Sequence, residues 1–216
     1  MNLVDAARKK LQGQQRERTN IGDLEIRKWV YGNFFCPGVF AIDEFGIAEG
    51  RARADLAYLV QGEHGLLGGI EIKSNLDTIK RLANQSLHYT QFFDCCDIVV
   101  GQKFINHAIS HIPVEWGILG VSFEAARGAI SGQRIRAARP NSINYYRWLE
   151  LLWREEVLNH FRADSSHSNL TRVTKEELVE VWKSRHTQTE TKPIVLSILE
   201  NRKDWRRRDP GTLHRL

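Results

Sequence analysis

Three side chains in one short stretch have the types and spacing needed to hydrolyse a phosphodiester bond. Asp55 is followed, after a turn-like segment, by Glu71 and Lys73. Carboxylate oxygens are hard ligands that suit Mg²⁺, which commonly takes one or two of them and leaves its other positions to water and substrate phosphate. An ammonium group close to such a ligand can position the attacking water or stabilise charge on the phosphate. The three residues therefore predict metal-assisted hydrolysis.

The segments around these residues predict a β-hairpin that would bring them together. Residues 51–60 and 66–74 are rich in aliphatic side chains, carry charges at alternate positions, and flank a turn that contains two glycines. Because side chains in a strand alternate between faces, Glu71 and Lys73 share one face of the second strand. In the simplest register, Asp55 on the first strand lies beside them. Two close carboxylates repel each other, and a bound divalent cation would remove that repulsion.

Asp55 followed by Glu71-Ile72-Lys73 resembles the D…(D/E)-x-K signature of the PD-(D/E)XK nuclease superfamily. The proline of that signature is absent, because Ala54 precedes Asp55. The resemblance implies that Asp55, Glu71 and the carbonyl of Ile72 ligate Mg²⁺, for which Mn²⁺ can substitute. It also implies that Lys73 assists the attacking water.

A helix that begins near 75–77 and runs to about 93 is predicted after the second strand. Gln85 and Tyr89 on this helix are similar to the Q-x-x-x-Y motif of RecB-like members of the superfamily. The resemblance implies that Gln85 orients the site or contacts the substrate and that Tyr89 faces the nucleic acid. Lys80 and Arg81 are predicted to contact phosphates, and such contacts position the nucleic acid without recognising its sequence. The alternatives are a solvated charged helix face, and a Tyr89 that packs while its hydroxyl finds a partner.

An accessory acid is expected on a neighbouring element. Glu44 lies on a predicted strand over 38–47, and relatives often carry an acid one strand before the catalytic aspartate. We expect Glu44 to face the same site, although a solvent-facing carboxylate is a comparable interpretation. Glu25 on the preceding predicted helix is the competing accessory acid.

The order of predicted elements indicates an α/β protein with a mixed sheet. This order agrees with the restriction-endonuclease-like core that the resemblance implies, a mixed central sheet flanked by helices. We assign residues 1–126 to this core, residues 127–142 to a linker, because glycine, proline and dispersed arginines interrupt the pattern, and residues 143–216 to a C-terminal helical subdomain. Helices within that subdomain are predicted over 143–162 and 192–206, with a further one beginning at a capping-box pattern at Thr174.

Composition also restricts the partner and the cellular location that we expect. The 216 residues are 42% hydrophobic, which supports a proper core, and the formal charge of +5 favours a polyanionic partner. The three cysteines form no C-x-x-C pair, the first residues lack a signal-peptide pattern, and no apolar run approaches the ~20 residues that span a bilayer. We therefore expect a cytoplasmic protein that makes no membrane contact.

The leading hypothesis is a Mg²⁺-dependent nuclease that acts on nucleic acid, with DNA as the expected substrate. Superfamily members that cut two strands often dimerise, so a homodimer is compatible with the resemblance. One rival is a non-catalytic module of the same fold that binds nucleic acid or protein. Another is a structural protein in which Glu71 and Lys73 form a surface ion pair, which contributes little to stability.

Overall fold

A mixed β-sheet runs through the centre of the protein, and its six strands lie side by side in chain order. The computed structural model describes residues 21–37, 39–62, 64–162 and 172–203. The strands are β1 (Phe40–Ile47), β2 (Ala52–Val60), β3 (Leu66–Lys73), β4 (Cys95–Gly101), β5 (Gly117–Glu124) and β6 (Ala129–Arg136). β3, β4 and β5 are parallel, whereas β1 to β3 and β5 to β6 pair antiparallel. The carboxyl ends of the three parallel strands therefore meet at one edge of the sheet.

Helices cover both faces of this sheet. They are α1 (Asp23–Asn33), α2 (Leu82–Phe92), α3 (Ile105–His111), α4 (Arg154–Arg162), α5 (Lys175–Arg185) and α6 (Gln188–Asn201), with a 3₁₀ segment at Tyr145–Leu151. The α/β class predicted from the sequence is confirmed, as a restriction-endonuclease-like core followed by C-terminal helices. Within the described ranges, no helix is both long and apolar enough to cross a membrane.

The β2–β3 hairpin has the predicted register. Leu56 pairs with Ile70 and Val60 pairs with Leu66 across the antiparallel ladder. Ile70 belongs to the apolar cluster under α1, whereas Glu71 points to the other face and meets α2. The alternation expected for a strand therefore places Glu71 and Lys73 on the α2 side of the sheet.

Two apolar layers hold the helices on the sheet. α1 closes the smaller layer, in which Ile26 and Val30 pack with residues of β2, β3 and β4. The larger layer joins α2 and α3 with α4, α5 and α6 in one continuous cluster. Trp148 is fully buried there and donates its indole N–H to the carbonyl of Phe92 at 2.8 Å. The C-terminal helices therefore complete the core of the sheet and do not form a separate core of their own.

The interpretation of residues 127–142 as a linker is wrong for Ala129–Arg136, which form β6. Gly128 turns the chain between β5 and β6 with a φ of +62°, a conformation that favours glycine. β6 is an edge strand, and charged residues protect such edges from pairing with other chains. Two of the arginines are structural: Arg134 pairs with Asp97, and Arg136 donates to the carbonyl of Trp116 at 2.7 Å. The arginines that suggested a linker therefore mark an edge strand.

Three predicted helices differ from those observed. α2 begins at Leu82 because Asp77 accepts hydrogen bonds from the backbone and hydroxyl of Ser74, at 2.7 and 2.6 Å, and so holds a turn before the helix. The helix predicted over 143–162 is divided into the 3₁₀ segment and α4. The helix predicted over 192–206 begins earlier, at the N-cap Thr187, and its residues beyond 203 lie outside the described part of the chain. The capping box predicted at Thr174 is confirmed.

Candidate active site

The structure brings Asp55, Glu71 and Lys73 together at the end of the β2–β3 ladder. Asp55 accepts the backbone N–H of Ile72 through Oδ2 at 2.7 Å. Lys73 Nζ donates to Glu71 Oε1, and the hydroxyl of Tyr89 donates to Glu71 Oε2. The side chain of Glu71 is 1% exposed and that of Asp55 is 25% exposed. Asp55 therefore forms the open side of the site, and Glu71 forms its floor.

The charge of Glu71 disfavours the charged form of Asp55. Burial and the nearby charge of Glu71 raise the pKa of Asp55 to about 7, against the opposing effects of the Ile72 N–H, Lys73 and Arg27. Burial alone lowers the pKa of Lys73, but Glu71 and Asp55 outweigh it, and the net shift is upward. Lys73 is therefore an ammonium group, and Asp55 exchanges its proton near neutral pH.

A hard divalent cation fits this set of donors. Asp55 and Glu71 are neighbouring carboxylates, and the carbonyl of Ile72 directly follows Glu71 in the chain. Within the described residues, no group of three or more His, Cys, Asp or Glu is placed to hold a metal, but Mg²⁺ commonly needs only one or two carboxylates. Each carboxylate oxygen has two lone pairs, so the oxygens of Glu71 keep accepting capacity beside Lys73 and Tyr89. A cation would also take over the role of the proton on Asp55.

Gln85 lies one helical turn before Tyr89 on α2 and is half-buried. Its amide oxygen Oε1 is buried and has no hydrogen-bond donor in the described structure. A buried acceptor without a donor costs about 1–3 kcal/mol, so such groups commonly have a ligand or water as partner. The position agrees with the predicted role of Gln85, which stays a prediction.

Tyr89 does not face a nucleic acid. It is fully buried, and its hydroxyl, besides binding Glu71, lies 3.4 Å from the carbonyl oxygen of Arg53. The alternative interpretation, a packed tyrosine with a bonded hydroxyl, is confirmed. Lys80 and Arg81 are exposed in the turn before α2, and their contact with phosphates stays a prediction.

Sequence reasoning missed Arg27, which connects α1 to the site. Its guanidinium is buried and donates to the carboxylate of Asp43 at 3.0 Å and to the backbone carbonyl of Asp55 at 2.6 Å. It also donates to Glu44 at 3.1 Å. The available signal was its position beside Ile26 on the buried face of an amphipathic helix, where a charge needs a partner.

Glu44 occupies a strained position next to Asp55. The β1–β2 register places these two residues opposite each other, yet they are not paired, and Glu44 has a φ of +56°. Such backbone strain costs about 1–3 kcal/mol and clusters at functional sites. Glu44 also binds Arg53 at 2.8 Å, whereas Glu25 accepts the N–H of Gly22 and caps α1. Glu44 is therefore the acid at the site, and its accessory role stays a prediction.

A cavity of about 700 Å³ opens beside this cluster. Asp43, Glu44 and Arg53 line it from the sheet, and Trp153 and Lys175 line it from the C-terminal helical region. The cavity therefore lies between the sheet and the C-terminal helices and includes Glu44, but Asp55, Glu71 and Lys73 do not line it.

Comparison with known proteins gives a family for the chain. The family described as bacteriophage P4 protein cII matches residues 36–207, a region that contains Glu44, Asp55, Glu71 and Lys73 but not Arg27. Protein cII of Enterobacteria phage P4 is 25% identical over 183 residues, which is 83% of this chain. The chain spans 65% of the length of that relative. A solved protein of unknown function from Silicibacter pomeroyi is 21% identical, covers 61% of this chain and 85% of its own, and has a TM-score of 0.37.

Proposed function

The chain belongs to the bacteriophage P4 protein cII family, and we propose that it is a metal-dependent nuclease that hydrolyses phosphodiester bonds. The supporting observation is the meeting of Asp55, Glu71 and Lys73 at one open edge of the sheet. Burial and Glu71 raise the pKa of Asp55 to about 7, which is the electrostatic environment that a divalent cation would relieve. The resemblance to the PD-(D/E)XK nuclease superfamily supports the same function.

Each residue has a defined task in this proposal. Asp55, Glu71 and the carbonyl of Ile72 hold Mg²⁺ or Mn²⁺, which when bound lowers the pKa of water and polarises the phosphate. Lys73 orients the attacking water or stabilises charge on the phosphate. Tyr89 is a positioning residue, because it fixes the second oxygen of Glu71.

Substrate contacts come from the surrounding surface in this proposal. Lys80 and Arg81 provide positive charge for the phosphate backbone, and Gln85, whose amide oxygen is buried, orients the site. Glu44 acts as an accessory acid. DNA as substrate, a homodimer when two strands are cut, and a cytoplasmic location with free thiols at the three cysteines belong to the same proposal.

A non-catalytic binding module is the second candidate. Both oxygens of Glu71 accept hydrogen bonds, from Lys73 and from Tyr89, and this closed arrangement also suits a stable structural network. Such a module would bind nucleic acid or protein without turnover. Metal-dependent cleavage separates the two candidates.

The test combines metal binding with cleavage. We would titrate Mn²⁺ calorimetrically into wild type and Asp55→Asn, and incubate plasmid and single-stranded DNA with Mg²⁺ or Mn²⁺. Asp55→Asn, Glu71→Gln and Lys73→Met should each abolish cleavage while circular dichroism shows an intact fold. Glu25→Gln is the matched control, because it alters an acid that caps α1, and it should cut like wild type.

Two results would contradict the nuclease. Equal cleavage by the three site variants and wild type would show that the activity lies elsewhere. A folded wild type that binds no Mn²⁺ and cuts neither substrate would leave the binding module as the better description.

A further inference from the structure

Trp153 presents an aromatic ring to solvent close to the candidate site. It is 50% exposed, whereas the other tryptophans in the described part of the chain are buried or partly buried. Trp153 lies at the break between the 3₁₀ segment and α4, the point at which the predicted helix is divided. An exposed indole offers a large flat apolar surface on which a ligand can pack.

The ring is held in place by its neighbours. The guanidinium of Arg202 lies over the indole at 4.3 Å from the ring centroid. Arg202 is in turn fixed by Glu156 at 2.6 Å and by the carbonyl of Leu151 at 2.8 Å. The backbone N–H of Trp153 also donates to Glu156 at 2.7 Å. The ring is therefore ordered before any ligand arrives, which lowers the entropy cost of binding.

Trp153 lines the same cavity as Glu44 and Arg53. The side chain of Arg53 is 66% exposed and binds Glu44, which shares Arg27 with Asp55. Lys175 and Arg154 add positive charge to the lining of the cavity, which also contains the acids Glu49 and Glu150. An aromatic platform therefore shares one opening with basic and acidic side chains, and Glu44 connects this opening to the candidate site.

We propose that Trp153, backed by Arg202, is a stacking platform for an unpaired base of single-stranded nucleic acid that enters this cavity. Every base has a flat face, and base–aromatic stacking beside basic side chains is how many proteins bind single strands without reading sequence. Bases inside a duplex are already stacked on each other and cannot use the platform. The inference rests on the proposed function, because it names the substrate class of the same site.

The test measures binding apart from cleavage. Asp55→Asn serves as background, so that the probe stays intact, and the probe is a short fluorescein-labelled oligodeoxythymidylate followed by fluorescence anisotropy. Adding Trp153→Leu should weaken binding about 5- to 100-fold, the range that one stacked base contributes. Adding Trp153→Phe keeps a ring and should retain most of the affinity. A blunt duplex of the same length should bind equally to all three proteins.

Leu87→Ala is the control for an exposed apolar side chain elsewhere, on α2, and should not change the affinity. Thermal unfolding checks that Trp153→Leu is folded, and Trp153→Phe tests the platform even if the leucine variant is unstable. Equal affinity of the leucine, phenylalanine and parent proteins for the single strand would overturn the inference, as would an absence of single-strand binding by the parent protein. Loss of duplex binding in equal measure would also overturn it and would point to a general docking surface.

The outcome for the platform is separate from the outcome for the nuclease. Trp153-dependent binding by a wild type that does not cleave would support the platform and contradict the nuclease. Cleavage by wild type with single-strand binding that ignores Trp153 would support the nuclease and overturn the platform.

Discussion

Asp55 has an environment that disfavours the charged form of its carboxyl group. Its side chain is only 25% exposed, Glu71 is its neighbour, and its pKa is raised to about 7. Charge on Asp55 therefore costs free energy in the folded protein, and this cost is what a bound cation would offset. Tyr89 and Lys73 hold Glu71 beside Asp55, and the charge of Glu71 contributes to this cost.

The first prediction concerns stability and pH. Between about pH 4 and pH 7 the folded state holds a proton on Asp55 that the unfolded state releases, so the free energy of unfolding falls as pH rises through this window. Asp55→Asn keeps an oxygen for the Ile72 N–H and should remove this fall, making the variant more stable than wild type by on the order of 2 kcal/mol at about pH 8. Urea unfolding at about pH 4 and pH 8 measures the difference.

Mn²⁺ extends this prediction. Added at about pH 8, it should stabilise wild type much more than Asp55→Asn, because the variant lacks one of the two carboxylates proposed to hold the cation. Parallel stability curves for the two proteins at all pH values would contradict the raised pKa of Asp55.

The second prediction tests the contribution of the buried hydroxyl of Tyr89 to stability. Tyr89→Phe removes a hydroxyl that donates to the buried carboxylate of Glu71, so it should lower the free energy of unfolding by about 1–3 kcal/mol. A tyrosine that faced nucleic acid would instead lose affinity with unchanged stability. Urea unfolding and anisotropy with the same oligonucleotide measure both quantities.

At the scale of elements, α1 and the first two strands depend on one buried arginine. Arg27 joins α1 to β1 through Asp43 and Glu44 and to β2 through the backbone of Asp55. The pairing of β1 with β2 is interrupted at Glu44, which is one of the residues that Arg27 contacts. The helix that covers one face of the sheet thus also supports the edge on which the candidate site lies.

The third prediction tests this support. Arg27→Met leaves the buried carboxylate of Asp43 without its arginine and should lower the free energy of unfolding by about 3 kcal/mol or more. Lys28→Met is the matched control, since Lys28 is the exposed neighbour on the same helix, and it should change stability by less than about 0.5 kcal/mol. A similar small effect of both substitutions in thermal unfolding would show that the Arg27 contacts do not hold α1.

Strand signals in the sequence differ in strength for a physical reason. β2 and β3 are central strands buried against helices, so their apolar patterns are strong and the hairpin could be predicted with its register. β6 pairs on one side only and carries Arg134 and Arg136, so its pattern resembles a loop. The start of α2 was also missed, because the side chain of Asp77 binds Ser74 in a turn in place of capping the helix.

At the scale of the whole molecule, the larger apolar layer contains residues from the sheet and from the C-terminal helices together. Trp148 is fully buried between them, and Trp182 is buried among the last helices. Because one continuous core serves both regions, neither is expected to remain folded when the other unfolds.

The fourth prediction follows from this shared core. Trp148→Ala should lower the free energy of unfolding by about 3–5 kcal/mol, and the protein should still unfold in a single transition. Leu87→Ala, at an exposed position on α2, should cost much less. Far-ultraviolet circular dichroism and tryptophan fluorescence should give coincident urea curves. Two separate transitions would instead support an independent C-terminal subdomain.

Local pattern was enough to determine the α/β class, the β2–β3 hairpin and the grouping of Asp55, Glu71 and Lys73, because strand alternation and a short turn act over neighbouring residues. Tertiary structure alone decided that Tyr89 points inward to Glu71 and that Arg27 reaches Asp43 from α1. It also decided that the C-terminal helices share the core. These features depend on contacts between segments distant in the chain, and the burial that makes a charge or a hydroxyl need a partner exists only after those segments have packed.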